Sequence, residues 1–237
     1  MQDNILKTVE YTRVNGGCQT ASERIVRETA LTIMVDGRHY ATAMILAAQE
    51  KEFVIGNLYA QGIIRSTDDI KSLTIKNNVA EVKLAGNKKN TVPPAIHSKL
   101  KVSAEDIFSC VRAILKSEIF SETEAVHSAG LFLDGKETVG IAEDLGRHNA
   151  LDKVIGCGLL HKIDFGRTVA ASTGRQPSEM ILKCRNAGIP IIATKGVPTA
   201  LAVAIAGEAG ITIAGLVRGN TMIVYTHPER IEGCDES

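Results

Sequence analysis

The chain has 237 residues, 44% of them hydrophobic and 23% charged, enough for one large domain or two modest ones with a well-filled core. Its 27 Lys and Arg balance 27 Asp and Glu, so net charge gives no general pull towards nucleic acid or membrane surfaces, and any anion site must be local. With no Trp and only 4% aromatics, base-stacking platforms are disfavoured and the core must be aliphatic. Met1 to Glu10 lacks the apolar run of a signal peptide, and later apolar stretches are broken by Gly and charge, so a cytoplasmic location without a membrane span is expected. Five scattered cysteines form no CxxC pair. Cys110, Cys157 and Cys184 sit in helical patterns where a small apolar residue would serve, whereas Cys18 and Cys234 lie in polar segments as candidate exposed thiols.

In chain order, Ala30 to Val35 and Tyr40 to Leu46 read as strands around an Asp36-Gly37 hairpin turn. A helix follows from Gln49 to Gln61 with Gly62 at its end, then a second hairpin, Leu73 to Ile75 and Ala80 to Leu84, turning at Asn77-Asn78. The polar, proline-ended stretch Gly86 to Pro94 reads as a linker. A helix starts at Ser103 with a capping-box-like head and an apolar face of Ile107, Val111, Ile114 and Leu115. Strands at Ala129 to Leu133 and Thr138 to Ala142 join through Asp134-Gly135, and a helix covers Gly146 to Leu160. Alternation continues with a strand at Thr168 to Ser172, a helix at Ser178 to Asn186 and a strand at Ile189 to Thr194. The last elements are a helix at Pro198 to Ala209, a strand at Ile211 to Val217 and an extended end at Met222 to Thr226. The uninterrupted apolar strands suit a sheet covered on both faces. The expected class is therefore α/β: a small α+β domain over residues 1–100, then a three-layer α/β/α domain with a mixed sheet over residues 101–237.

The run Glu143-Asp144-Leu145-Gly146-Arg147-His148-Asn149-Ala150-Leu151-Asp152-Lys153 is the richest in chemistry. On a helical projection Arg147 and His148 share the stripe of Leu151, Val154, Ile155 and Gly158, which places polar groups on the buried side of a helix N-terminus. Free N–H groups and the positive dipole end favour an anionic ligand there. The plainer alternative pairs Arg147 with Glu143 or Asp144. Two strand-to-helix loops can reach the same edge, one carrying Thr173, Gly174 and Arg175 and the other Gly196, Val197 and Thr199. The final strand runs into Leu216-Val217-Arg218-Gly219-Asn220-Thr221, where Arg218 could fork onto a phosphate and Gly219 allow close approach. Neither a Walker A nor a GxGxxG motif is present, which disfavours a nucleotide hydrolase or a dinucleotide dehydrogenase. No three Cys and His residues have zinc-ligand spacing, so no zinc is expected.

The run EDLGRHNALDK resembles the most distinctive signature of the formate dehydrogenase accessory (FdhD) family. The likeness extends over AAQEKEFVIGNLYAQGII, ETEAVHSAGLF, STGRQPSEM, GIPIIATKGVPTALAVAIAGEAG and LVRGNTMIVYTHPERI, roughly Glu28 to Ile231. It implies a cytoplasmic homodimer with a fold similar to cytidine deaminase. It further implies that the protein takes sulfur from a cysteine desulfurase for the bis-molybdopterin guanine dinucleotide cofactor of formate dehydrogenase. That cofactor would be bound cargo, the segment LVRGNT would contact it, and the formate dehydrogenase apoenzyme would be the partner.

The sequence departs from the family in two places. The stretch between the second hairpin and Ser103, where the family carries persulfide sulfur on a CxxC loop, reads GNKKNTVPPAIHSK and holds no cysteine. The family's Thr-Gly-Gly-x-His segment keeps Thr123 and His127 but not the glycines. Zinc deamination is disfavoured as well, because the places of its H-x-E and P-C-x-x-C motifs read His148-Asn149-Ala150 and Pro177-Ser178-Glu179-Met180. Three classes remain: a sulfurtransferase using an unexpected cysteine, a non-catalytic cofactor chaperone, and a regulatory paralogue binding a free guanine nucleotide. No residue is assigned a catalytic role.

Overall fold

The computed structural model describes residues 5–86 and 95–234, so the expected linker lies, Gly86 apart, outside the described residues. A two-stranded hairpin, β1 (Leu6–Val14) with β2 (Cys18–Val26), leads into a four-stranded sheet. That small sheet holds β3 (Thr29–Val35), β4 (Arg38–Ile45), β5 (Ile70–Lys76) and β6 (Val79–Leu84) in the order β4-β3-β6-β5, with α1 (Glu50–Ala60) between β4 and β5 in the chain. The turn residues take the left-handed conformation that the sequence called for: φ is 50° at Asp36, 79° at Gly37, 50° at Asn77 and 59° at Asn78.

The second half comprises α2 (Ala104–Ile114), α3 (Glu118–Thr123), β7 (His127–Leu133), β8 (Glu137–Asp144), α4 (Arg147–Leu160), β9 (Thr168–Ser172), α5 (Ser178–Ala187), β10 (Ile191–Thr194), α6 (Ala200–Ala209), β11 (Thr212–Arg218) and β12 (Thr221–Thr226). Its six-stranded sheet runs β12-β11-β10-β9-β7-β8; β9, β10 and β11 are mutually parallel, and the outer pairings are antiparallel. Every residue of β9 and β10 is buried, as expected for strands covered on both faces. One face carries α2, whose Ile107, Val111 and Ile114 cluster with Phe132, Val169 and Ile191. On the other face Val154 and Ile155 of α4, Met180 and Ile181 of α5 and Ala202 and Ala206 of α6 share a cluster with Leu131, Ala170 and Ile192.

That second cluster continues through α1 into Leu31, Ile33, Ala80 and Val82 of the small sheet, so the two halves share one core. Helix α1 buries Phe53, Val54, Ile55 and Leu58 around most of its circumference, because it lies between the small sheet and α4, and leaves Lys51 exposed at its start. It meets α4 at backbone distance. A Cβ on Gly56 would fall 1.8 Å from the Asp152 carbonyl oxygen, and one on Gly156 1.9 Å from that of Glu52.

Several features differ from the sequence reading, among them Leu115, expected on the apolar face of α2 but exposed at its C-terminal cap. The β1–β2 hairpin and α3 were not expected, and α6 starts at Ala200 with Thr199 as N-cap, which leaves Pro198 ahead of the cap rather than in the first turn. Capping explains the shorter helix: the Thr199 side chain accepts from the Ala202 N–H.

Candidate functional site

Parallel β9, β10 and β11 put their C-terminal ends on one edge of the large sheet, and β8, antiparallel to β7 which is antiparallel to β9, ends on that edge too. The N-termini of α4, α5 and α6 follow directly from those ends. The loops are stitched together. The Lys195 N–H donates to the Ser172 carbonyl at 3.2 Å, the Gln176 N–H to Val197 at 2.9 Å, and the Leu216 N–H to Gly196 at 2.8 Å. Close approach explains the glycines here: a Cβ on Gly174 would lie 2.7 Å from Arg147 Cδ, and one on Gly196 2.9 Å from the Gly174 carbonyl oxygen. Arg147, Gly174, Gly196 and Leu216 therefore form a chain of contacts along the edge. Two side chains here keep buried polar atoms without a hydrogen-bond partner, Arg147 Nε and Gln176 Oε1, the latter on a fully buried residue.

The other sequence-predicted residues take varied positions. His148 turns towards α5, with Nε2 3.7 Å from Glu179 Oε2. Thr173 Oγ1 accepts from the Ser128 N–H at 3.1 Å and lies 3.4 Å from His127 Nδ1. Arg175, Val197 and Thr199 are exposed, and Thr199 is occupied by its capping bond. Arg218, Gly219, Asn220 and Thr221 form the exposed tip between β11 and β12, with Gly219 at φ 56°. Val217 is 3% exposed and faces the α2 cluster, so only its backbone is available at the edge.

Arg147 does not pair with Asp144. Asp144 instead meets Lys153, Nζ to Oδ2 at 2.7 Å, with both side chains fully buried. Lys153 uses its remaining donors on the carbonyls of Leu46 at 3.1 Å and Glu143 at 2.9 Å. Asp144 also accepts from the N–H groups of Leu46 and Gly146, each at 3.1 Å, and from Asn149 Nδ2 at 2.8 Å. The pair thus locks the end of β4 to the turn that presents Arg147. Burial pulls the Lys153 ammonium down from its ordinary range, against the opposing pull of Asp144. A second buried pair, Asp152 with Lys183 at 2.5 Å, is completed by Asn57 Nδ2 at 2.8 Å and ties α4 to α5 and α1. Burial pushes the Asp152 carboxyl up, and Lys183 opposes this. In the sequence, the signal that Asp152 and Lys153 are buried ions is their position beside the apolar stripe of α4.

Two cavities open beside this edge. One, of about 310 Å³, is lined by His127, Thr173, Lys195 and Leu145 against Val126 and Phe120. Burial, and then the Arg147 charge, push His127 down from its ordinary range, and the same two causes lead at His148, so both imidazoles favour the neutral form. The sequence pattern alone does not mark His127 as a site residue; its place in this cavity does. Among the described residues no three His, Cys, Asp or Glu side chains group as a metal ion would need, and no helix is long and apolar enough to cross a membrane.

Loops and helix N-termini gathered at the carboxyl ends of parallel strands are where open α/β sheets receive their ligands, and the chain is a mixed α/β protein of that kind. Residues 26–93 and 85–232 match the FdhD/NarQ family, and the chain belongs to it. This is the family expected from the EDLGRHN run. Relatives include a sulfur carrier protein FdhD from Sulfolobus acidocaldarius, 34% identical over 251 residues covering 96% of this chain and 99% of the relative. Another, from Saccharolobus solfataricus, is 36% identical over 214 residues covering 81% and 83%. The crystal structure of a formate dehydrogenase accessory protein from Desulfotalea psychrophila superposes with a TM-score of 0.85 at 30% identity, covering 96% of this chain and 99% of that one.

Proposed function

We propose that the protein is a cytoplasmic accessory factor of formate dehydrogenase that binds the bis-molybdopterin guanine dinucleotide cofactor at the strand-end edge and supports its sulfuration. The observation that carries this is the contact chain Arg147, Gly174, Gly196 and Leu216, with Arg147 Nε buried and without a partner. Such a cofactor brings phosphates suited to a guanidinium and to free helix N–H groups. The relatives' names, sulfur carrier proteins, favour the sulfuration role. A cysteine desulfurase, the formate dehydrogenase apoenzyme and a second copy of the chain are the proposed partners.

The missing CxxC favours a second reading, a chaperone that holds the cofactor without carrying sulfur itself. Incubation with a cysteine desulfurase and cysteine, followed by mass spectrometry, separates the two: a persulfide on any cysteine supports the carrier, and unmodified protein supports the chaperone. Binding is tested by titrating GDP into wild type, Arg147→Ala and Arg218→Ala. Loss of a charge-assisted bond should weaken affinity roughly tenfold to hundredfold in each variant. No measurable wild-type binding would overturn the nucleotide part, and unchanged affinity in both variants would move the site elsewhere.

A further inference from the structure

Strand β8 ends on two consecutive carboxylates, which strand geometry turns to opposite faces. Asp144 faces α4 and is saturated with partners. Glu143 faces the α2 side, directly across from Ser128 of β7. One of its carboxyl oxygens, Oε1, is buried and has no hydrogen-bond partner. The nearby ammonium of Lys153 donates to the Glu143 backbone carbonyl and to Asp144, not to this oxygen.

Glu143 lines the second cavity, of about 610 Å³, between the end of α2, the start of α3 and β8. Leu46, Ile114, Ile141 and Ala142 make its walls largely apolar. The smaller cavity shares Ile114, Ser117 and Ser128 with it, so the two adjoin and lead from Glu143 to Thr173 and Lys195 at the strand-end edge. Apolar walls suit the faces of a flat ring, and a carboxylate with one oxygen free suits an N–H edge. Lys195 and the Thr173 hydroxyl at the far end of the trough suit phosphates attached to that ring.

We propose that Glu143 reads the 2-amino-4-oxopyrimidine edge of a heterocycle held in this trough, its carboxylate accepting from the ring N–H and the exocyclic amino group. Guanine and pterins share that edge. Adenine presents a ring acceptor where the carboxylate needs a donor, and hypoxanthine lacks the amino group, so both are discriminated against. The inference rests on the cofactor-binding reading above, since that cofactor carries both rings.

The test titrates GDP, IDP, ADP and 6-hydroxymethylpterin into wild type, Glu143→Gln and Arg147→Ala, with thermal midpoints as the folding control. Wild type should favour GDP over IDP by about tenfold or more, the worth of one charge-assisted hydrogen bond. Glu143→Gln should bring that ratio close to one, whereas Arg147→Ala should weaken GDP and IDP alike and leave their ratio intact. Pterin binding that depends on Glu143, with GDP binding that does not, assigns the trough to the pterin. GDP binding with the same preference over IDP in Glu143→Gln, and no pterin binding, overturns the inference and leaves the nucleotide reading standing. Wild type that binds GDP, IDP and ADP equally and ignores the pterin overturns it without recourse to any variant. Wild type that binds none of the four overturns the cofactor reading itself.

Discussion

At the scale of residues, the buried ions decide most. Lys153→Met would strand Asp144 in the core, and a broken buried pair costs about 3 to 5 kcal/mol. The double change Lys153→Met with Asp144→Leu should cost less, because no charge is left unpaired, although the N–H groups of Leu46 and Gly146 lose their acceptor. Urea denaturation of the single and double variants checks the ordering. The histidines give a pH dependence whose sign follows from their downward shifts. On acidification through the ordinary value of 6.5 the unfolded chain takes up protons at these sites before the native chain does, so stability present above 6.5 is lost as the pH falls. The denaturation midpoint should drop between neutral and mildly acid pH, and drop less in a His127→Gln, His148→Gln double variant. The sequence made Arg147 visible through helical phase, but side-chain partners across elements were not legible. Nothing in the order EDLGRHNALDK says that Asp144 chooses Lys153 over Arg147, since that choice depends on where β4 ends.

Elements were legible where local chemistry fixes them. Asp-Gly and Asn-Asn turns, the Ser103 cap with its Asp106 partner and the left-handed Gly188 and Gly210 ends all stand where their residue types require. The β1–β2 hairpin carries only a weak period-two signal: Val9 and Tyr11 are half-buried between exposed Thr8, Glu10 and Thr12, and Arg13 and Val14 are exposed together. Helix α3 spans six residues and buries none, so it leaves no apolar stripe to read. Strand order is set by long-range pairing and has no local signature. The Gly56–Gly156 crossing was equally silent, since each glycine alone looks like a weak point in its helix. Gly56→Ala should destabilise by about 3 kcal/mol or more, at the severe end of overpacking, because the obstructing atoms belong to backbone that cannot rotate away. A control at an open helical position, Gly207→Ala, meets nothing within 4 Å and should stabilise slightly through helix propensity. Thermal midpoints of the two variants distinguish the cases.

At the scale of the whole molecule, the apolar cluster that threads from the small sheet through α1 to the large sheet makes the halves mutually dependent. Calorimetry should give one transition, with calorimetric and van't Hoff enthalpies in a ratio of roughly 1. Two resolved transitions would mean that α1 separates from α4 before either half melts.

The placement of two cysteines makes that core observable from within. Cys110 lies in the cluster beneath α2 and Cys184 in the cluster shared by α1, α4 and α5, one on each side of the large sheet. Burial pushes both thiols up to about 12, so neither reacts until its own side opens. Cys18 and Cys234, both exposed, should consume a thiol reagent at once. After that burst, the slow labelling rates at Cys110 and Cys184 act as two internal clocks. Equal rates would report global unfolding, and a faster Cys110 would reveal α2 lifting from the sheet while the rest of the native molecule stays closed.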